Sequence, residues 1–551
     1  MVTSRLEKQW QRTPVRLGRH TVGIYVLKGI LGAFLCALYA TSGLATVGDP
    51  IESFDTPGSR STGLTFDGEY LWLADRKTAE VYQLDPGSGD TVRALPSPGF
   101  RPMGLAWDGR HLWNVDAGEQ RLYAIDPGAE VTVKTLPCYT SDPGGLAWDG
   151  HYLWLADNEN RLLRQLSPSD GTTMTKIPAP CSGCTGMAYD GRWLWVADRG
   201  ADKLYRVDPE TGDVTVVLNA TGPYAWGLAW DGKNLWNADF QQDMIYQLAL
   251  DDPEFLSRHD PKAKEFELTQ EFRNYGPGVV RELDIYITIP GDLNSQEIIG
   301  DISFDPEPAG ILEDRWGQPV AHFHYENLVG GQFVSPTMTV KARLYSNEYH
   351  IFPERVGSLD EIPREIAEMY LADGEKYQLD HPAIRKAVDE AIGDEKRPYW
   401  MARGISRHIV DRVTYKAEGG WDRAATVLER GTGSCSESAF VFIAMCRAAG
   451  LPARYAGAIS SGGEDAGFDD EFHRWNELYL PGYGWIPWDV SGGRIVIGQL
   501  ANRYLITTIG GGESEYMDYR YNFNTRWTSM SSGKCRIYSD GYGEWVPLAG
   551  D

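Results

Sequence analysis

Gly63-Leu-Thr-Phe-Asp-Gly68, Gly104-Leu-Ala-Trp-Asp-Gly109, Gly145-Leu-Ala-Trp-Asp-Gly150, Gly186-Met-Ala-Tyr-Asp-Gly191 and Gly227-Leu-Ala-Trp-Asp-Gly232 are one phrase written five times. The same register returns Trp72, Trp113, Trp154, Trp195 and Trp236, and three positions later Asp75, Asp116, Asp157, Asp198 and Asp239. A fixed period of about 40 residues made of short apolar strands and tight turns is how a propeller blade reads. One unit gives four strands: Leu105-Ala-Trp, an Asp-Gly turn suited to positive φ, His111 to Val115, Arg121 to Ile125, and, after Pro127-Gly128, Val131 to Leu136. The fifth unit lacks its last strand, whereas Ile51-Glu-Ser-Phe-Asp55 precedes the first unit without a partner. The N-terminal strand is therefore expected to complete the last blade, so that residues 46–252 make one five-bladed β-propeller. The period-matched aspartates are read as turn caps that accept backbone N–H bonds, in preference to a ring of metal ligands.

Outward from the repeats, the 551-residue chain is long enough for several domains, and 61 Gly with 19 Trp suits a folded, turn-rich, β-heavy protein. Its net charge is -25. Residues 1–45 hold six basic side chains (Arg5, Lys8, Arg12, Arg16, Arg19, Lys28) and one acid (Glu7), which leaves the remainder at a net of -30. Such a surface repels phosphate backbones, so nucleic acid is excluded as a partner class. The basic start, the apolar run Gly29 to Ala40 and the small residues ending Gly43-Leu-Ala45 read as a signal peptide over 1–45. Export to the periplasm, cell surface or medium is the expected localisation, with an uncleaved anchor as the alternative. An oxidising compartment permits a disulfide among Cys138, Cys181 and Cys184, but a lone CxxC lacks the ligands for zinc.

Residues 253–263 read as a polar linker. Alternation over Phe266 to Phe272, Arg281 to Ile289, His322 to Glu326 and Val334 to Leu344 then gives a small β domain, with 253–350 as linker and sandwich and 351–551 as the last domain. His322 and His324 share a strand face, but no acidic partner is spaced for them nearby in sequence, and no metal or cofactor is expected. Helices follow over Leu359 to Leu371, Pro382 to Ile392, Tyr399 to Tyr415 and Ala424 to Arg430, and the apolar helix from Cys435 reads as buried.

The chemistry gathers in this last segment. Cys435 opens a buried helix, where unpaired N–H groups and the helix dipole favour a thiolate. His473 starts one predicted strand and Asp489 ends the next, positions expected to lie side by side, so that a base and its orienting carboxylate could serve the sulfur. Cys446 is read as inert core; Arg454, Trp475 and Glu477 are read as packing residues, and Trp421 as a candidate for lining the acyl site. The acidic loop with Glu464, Asp465, Asp469, Asp470 and Glu471 is read as solvated, the sharper option being attraction of cationic acceptors and a raised imidazole pKa.

Gly431-Thr-Gly-Ser-Cys435-Ser-Glu-Ser-Ala439, Ala449-Gly-Leu-Pro-Ala-Arg454, His473-Arg-Trp-Asn-Glu477 and Gly484-Trp-Ile-Pro-Trp-Asp489 resemble, in order and spacing, the core of the transglutaminase-like superfamily. The resemblance covers roughly residues 395–492. It implies a papain-like α+β core with Cys435 as nucleophile, His473 as base and Asp489 as orienting acid, and it implies that the β domain is the sandwich such proteins often carry. The expected activity is acyl transfer from protein or peptide amide bonds, by hydrolysis or transamidation. Envelope proteins and peptidoglycan peptides are the substrates the compartment suggests, with a protein or glycan partner for the propeller. The reading from another class is a cell-envelope scaffold whose transglutaminase-like site is vestigial.

Overall fold

The computed structural model describes residues 46–251, 255–417, 421–462, 467–470, 472–530 and 534–548. The segment read as a signal peptide, 1–45, lies outside the described residues. Among those described, no helix is long and apolar enough to cross a membrane.

Each 41-residue unit folds into one four-stranded antiparallel sheet, and Pro50–Asp55 runs antiparallel to Met244–Leu248 to complete the fifth. The turn aspartate of every unit explains the repeated Trp. Asp67, Asp108, Asp149, Asp190 and Asp231 each accept two backbone N–H groups across their turn and then the indole N–H five residues on, at 2.7–3.0 Å. The glycine that opens each phrase is explained by its neighbour. A Cβ on Gly63 would stand 2.3 Å from the Met103 carbonyl oxygen, on Gly104 2.4 Å from Leu146 N, on Gly145 2.4 Å from Met187 N, on Gly186 1.8 Å from the Trp226 carbonyl oxygen, and on Gly227 2.9 Å from Leu64 N. Each innermost strand thus runs at backbone contact with the next, and the fifth returns to the first, which makes the five sheets the blades of a propeller. Asp75, Asp116, Asp157, Asp198 and Asp239 accept local N–H groups, as in Lys77 and Thr78 to Asp75, and act as turn caps. Cys181 is disulfide-bonded to Cys184, and Cys138 is a buried free thiol.

The fourth blade faces the rest of the chain. Outermost strands elsewhere expose Val92, Val131, Val133 and Met174, but Thr215 and Val216 of Val214–Asn219 are buried. Phe352 inserts among Val216, Leu218 and Leu250, Arg206 donates to Glu354 at 2.6 Å, and Trp193 stacks on Trp400 at 6.0 Å. Asp213 pairs with Arg403 at 3.1 Å and with Arg407.

Two sheets then form the sandwich. One has the order Gln296–Ile298, Thr337–Tyr349, Leu256–Asn274, Ile537–Pro547, Gly467–Asp469; the other runs Gly310–Glu313, Pro319–Leu328, Val280–Thr288, Phe523–Ser529. Phe266, Leu268, Ile285, Ile287, Phe323 and Val340 alternate into its core. The polar stretch 253–263 is no linker from Leu256 on, because the strand Leu256–Asn274 begins there and absorbs the polar residues in a bulge between His259 and Lys262. The segment 351–551 is not one unit either: Phe523–Ser529 and Ile537–Pro547 leave it to pair with Val280–Thr288 and Leu256–Asn274.

Between these sandwich strands lie α1 (Arg364–Tyr370), α2 (Pro382–Ile392), α3 (Pro398–Arg412), α4 (Ala424–Arg430) and α5 (Cys435–Ala448). Helix α1 starts later than expected from Leu359 because Pro363 separates it from a single 3-10 turn, and α3 stops at Arg412, with Thr414–Tyr415 pairing instead with Thr432–Gly433. Helix α5 is packed all round by α2, α3, α4 and a five-stranded sheet ordered Val496–Ile497, Gly484–Asp489, His473–Leu480, Ala453–Ser460, Tyr504–Gly510.

Candidate active site

Helix α5 begins with a capping box. Ser434 Oγ accepts the Glu437 N–H at 3.3 Å, and Glu437 Oε2 accepts the Ser434 N–H at 3.0 Å. Cys435 is therefore fixed as the first helical residue, with its sulfur and its N–H at the positive end of the helix. Glu437 is fully buried, and its Oε1 also accepts from Asp422 N at 3.1 Å and from Arg430 at 3.0 Å. The signature Ser434-x-x-Glu437 could have found this carboxylate in the sequence.

His473 and Asp489 are brought together, though not directly side by side. The ladder sets Asn476 opposite Trp488, so one step further Asp489 is level with Trp475, two residues from His473. They meet as diagonal neighbours on one face, His473 Nε2 lying 2.9 Å from Asp489 Oδ2. The Ser491 N–H holds the other oxygen of Asp489 at 2.8 Å. The second ring nitrogen of His473 remains for Cys435, which lines the same cleft and whose titration is linked to that of the imidazole.

Burial works against ionising the Cys435 thiol, but the hydrogen bond and charge of His473, the Arg474 backbone N–H and the Arg474 guanidinium outweigh it, and the pKa falls below the ordinary value. For His473 burial acts downward, yet Asp489 and Cys435 override it and raise the imidazole to about 10. Burial acts upward on Asp489, and His473 with the Ser491 N–H brings it below the usual carboxylate value. The arrangement favours a thiolate and imidazolium held beside a carboxylate. Cys446 differs: burial raises its thiol well above the ordinary value, in keeping with inert core.

Arg474 points to the opposite face of the strand from His473 and is fully buried. Its guanidinium carbon lies 4.3–5.1 Å from the ring centres of Trp421, Phe440, Tyr455 and Tyr521, and it donates to the Tyr519 carbonyl at 2.6 Å. Trp421, the candidate acyl-site lining, instead stacks on Tyr521 at 5.9 Å and roofs this cation. Arg474 lies inside the His473-Arg-Trp-Asn-Glu477 motif, whereas Tyr521 carries no local sequence signal. Arg454 pairs with Glu477 at 2.7 Å and Trp475 packs on Tyr504 at 5.3 Å, both in packing roles.

Cys435, His473 and Asp489 border a cleft of about 1260 Å³ between the core sheet and the sandwich edge, whose walls include Tyr504, Arg494, Arg503, Glu348 and Trp545. Asp469 also lines it, tied to the Ser460 N–H at 2.7 Å. Glu464, Asp465 and Glu471 of that loop lie outside the described residues. Away from the cleft, Asp284 stands between His322 and His324, supplying from the neighbouring strand the carboxylate that was not visible in the sequence around the two histidines.

The model of the transglutaminase-like superfamily core matches residues 385–490, so that part of the chain is a transglutaminase-like domain. Among solved structures, similarity extends to a Cytophaga hutchinsonii protein provisionally assigned as a cysteine protease (17% identity, 54% of this chain and 94% of that one, TM-score 0.39). It extends also to Myxococcus xanthus glutaminyl cyclase (17%, 37% and 98%, TM-score 0.34) and to a catalytically inactive Staphylococcus aureus virginiamycin B lyase with quinupristin (18%, 36% and 69%, TM-score 0.26). No curated protein matches the chain.

Proposed function

We propose that the protein is an exported cysteine-dependent acyl-transfer enzyme that opens amide bonds of proteins or peptides through Cys435, His473 and Asp489. The observation that carries this reading is the convergence of the three side chains at one cleft, with the His473–Asp489 contact at 2.9 Å and Cys435 lining the same cleft at the first turn of its helix. In the forward step the Cys435 thiolate adds to the amide carbon, and the developing oxyanion is met by the N–H at the first turn of α5. Imidazolium His473 then gives its proton to the leaving amine as the C–N bond breaks, leaving a thioester on Cys435. Neutral His473 next takes a proton from the incoming water or amine, and the acyl group leaves as acid or new amide while the Cys435 thiolate is released beside the re-formed imidazolium. Asp489 keeps the imidazole oriented throughout.

The cleft is wide and lined by charged side chains, which supports water as the ordinary acceptor and hence hydrolysis over cross-linking. By compartment, envelope proteins and peptidoglycan stem peptides fit as substrates, and the propeller fits the role of holding a protein or glycan partner.

The test is mass spectrometry of the intact protein after limiting iodoacetamide near neutral pH, comparing wild type with His473→Ala. Selective labelling of Cys435 that depends on His473 supports the enzyme. Equal, slow labelling of several cysteines in both proteins favours a scaffold with a vestigial site.

A further inference from the structure

The outer face of the second sandwich sheet carries a cluster that the chemistry at Cys435 does not use. His322 and His324 project from one face of Pro319–Leu328, and Asp284 projects from the adjacent Val280–Thr288, directly opposite His324 in register. His322 Nε2 is 2.7 Å and His324 Nδ1 2.8 Å from the same Asp284 oxygen, and the three atoms all lie within 4.8 Å of one another. Among the described residues this is the grouping of His, Cys, Asp and Glu compact enough to hold a metal ion.

We propose that Asp284, His322 and His324 form a binding site for a zinc-class divalent transition-metal ion. Two imidazoles and one carboxylate are the donor set such ions take, and three protein ligands leave a fourth position for water. With metal–ligand bonds of about 2.0–2.1 Å, tetrahedral donors stand roughly 3.3 Å apart, so the two Asp284 contacts would open by about half an ångström, while the two imidazole nitrogens, within 4.8 Å of each other, would settle at that same spacing around the ion. The rings are already oriented. Tyr286 stacks on His322 at 5.0 Å with an interplanar angle of 13°, and Glu326 lies 3.6 Å from the far nitrogen of His324, as outer partners of metal-bound imidazoles do.

The scaffold is rigid where it needs to be. Val280–Thr288 is paired on both sides, with Pro319–Leu328 and with Phe523–Ser529, so the ligands sit on strands rather than loops. Solvent reaches the site through His324, whose side chain is 38% exposed. A net charge of -25 draws cations to the surface. The bound ion joins two strands of one sheet and so stabilises the folded sandwich.

The experiment is a titration with cobalt(II) alone, read by visible absorption, on the wild-type chain and on Cys435→Ala so that the reactive thiol does not compete. One saturable equivalent with nitrogen- and oxygen-type ligand-field bands, unchanged by Cys435→Ala, is expected. His324→Gln, at the exposed ring, and His322→Ala should abolish it, and Asp284→Asn should weaken it at least about tenfold. In a parallel melt, zinc(II) should raise the melting temperature of wild type but not of the variants, with metal-free melts showing that each variant folds. No saturable band, a band that survives all three substitutions, or a sulfur-to-cobalt charge-transfer band would each overturn the site and leave a plain hydrogen-bonded cluster.

Discussion

Replacing Glu437 by Gln tests whether Cys435 is held in place by the buried cap of α5. The carboxylate has no exposure and three donors: Ser434 N at 3.0 Å on one oxygen, Asp422 N at 3.1 Å and Arg430 at 3.0 Å on the other. The amide keeps one oxygen, so the best rotamer satisfies Asp422 and Arg430 and turns an NH2 against the Ser434 N–H. An orphaned buried donor costs about 1–3 kcal/mol, and two bonds that change from ionic to neutral acceptors lose about 1 kcal/mol each. Relief of the buried anion returns part of this, leaving about 3 kcal/mol. For a cooperative unit of about 200 residues that is a fall in melting temperature of roughly 6–12 °C. Near-UV circular dichroism should follow the melt, and iodoacetamide labelling should show Cys435 slowed, since the residue between the two halves of the box loses its fixed position. A melt within about a degree of wild type together with unchanged labelling would refute the reasoning.

Three further outcomes follow from the same geometry. Because the Cys435 pKa is lowered while His473 is raised to about 10, labelling of Cys435 should set in at a lower pH than that of an ordinary thiol and fall away below the depressed thiol pKa. Amide turnover should instead decline as pH climbs through about 10, where the imidazolium proton is lost; coincident profiles for labelling and turnover would contradict the pairing. Asp489→Asn should reduce turnover by roughly 10²–10⁴-fold while leaving the melt nearly unchanged, and a loss of less than about tenfold would remove Asp489 from the mechanism. Gly186→Ala, which forces a Cβ to within 1.8 Å of the Trp226 carbonyl oxygen, should destabilise the propeller by at least about 1–3 kcal/mol in a denaturant melt, whereas Gly291→Ala, with nothing within 4 Å, should not.

The propeller was legible because its information is local: an Asp-Gly turn, a Trp five residues past the aspartate and a glycine at the inner strand recur within one unit. The four motifs around Cys435 were legible for the same reason, and Glu437 could have been, since a capping box spans four residues. What could not be read depends on register between distant strands. Asp284 reaches His322 only because Val280–Thr288 and Pro319–Leu328 pair where they do, and nothing near Ile537 announces that it will lie against Asn274. The diagonal meeting of His473 and Asp489 was misjudged because a four-residue turn does not by itself fix which residues face each other. The Arg474 cage draws its rings from positions 421, 440, 455 and 521, which no periodicity links.

The strand Leu256–Asn274 has one neighbour from nearby sequence and another, Ile537–Pro547, contributed from some 270 residues later, as the Gln270–Asp540 contact measures. During synthesis this strand must wait with one flank bare while the whole Cys435 core is made and folded as an insert between its two partners. A ribosome-released fragment ending before residue 537 would keep a long unpaired edge with Phe266, Leu268 and Phe272 behind it, the kind of surface that recruits other chains. Proteolytic loss of the final strand should therefore be felt first as clumping, before any change in the thiol chemistry.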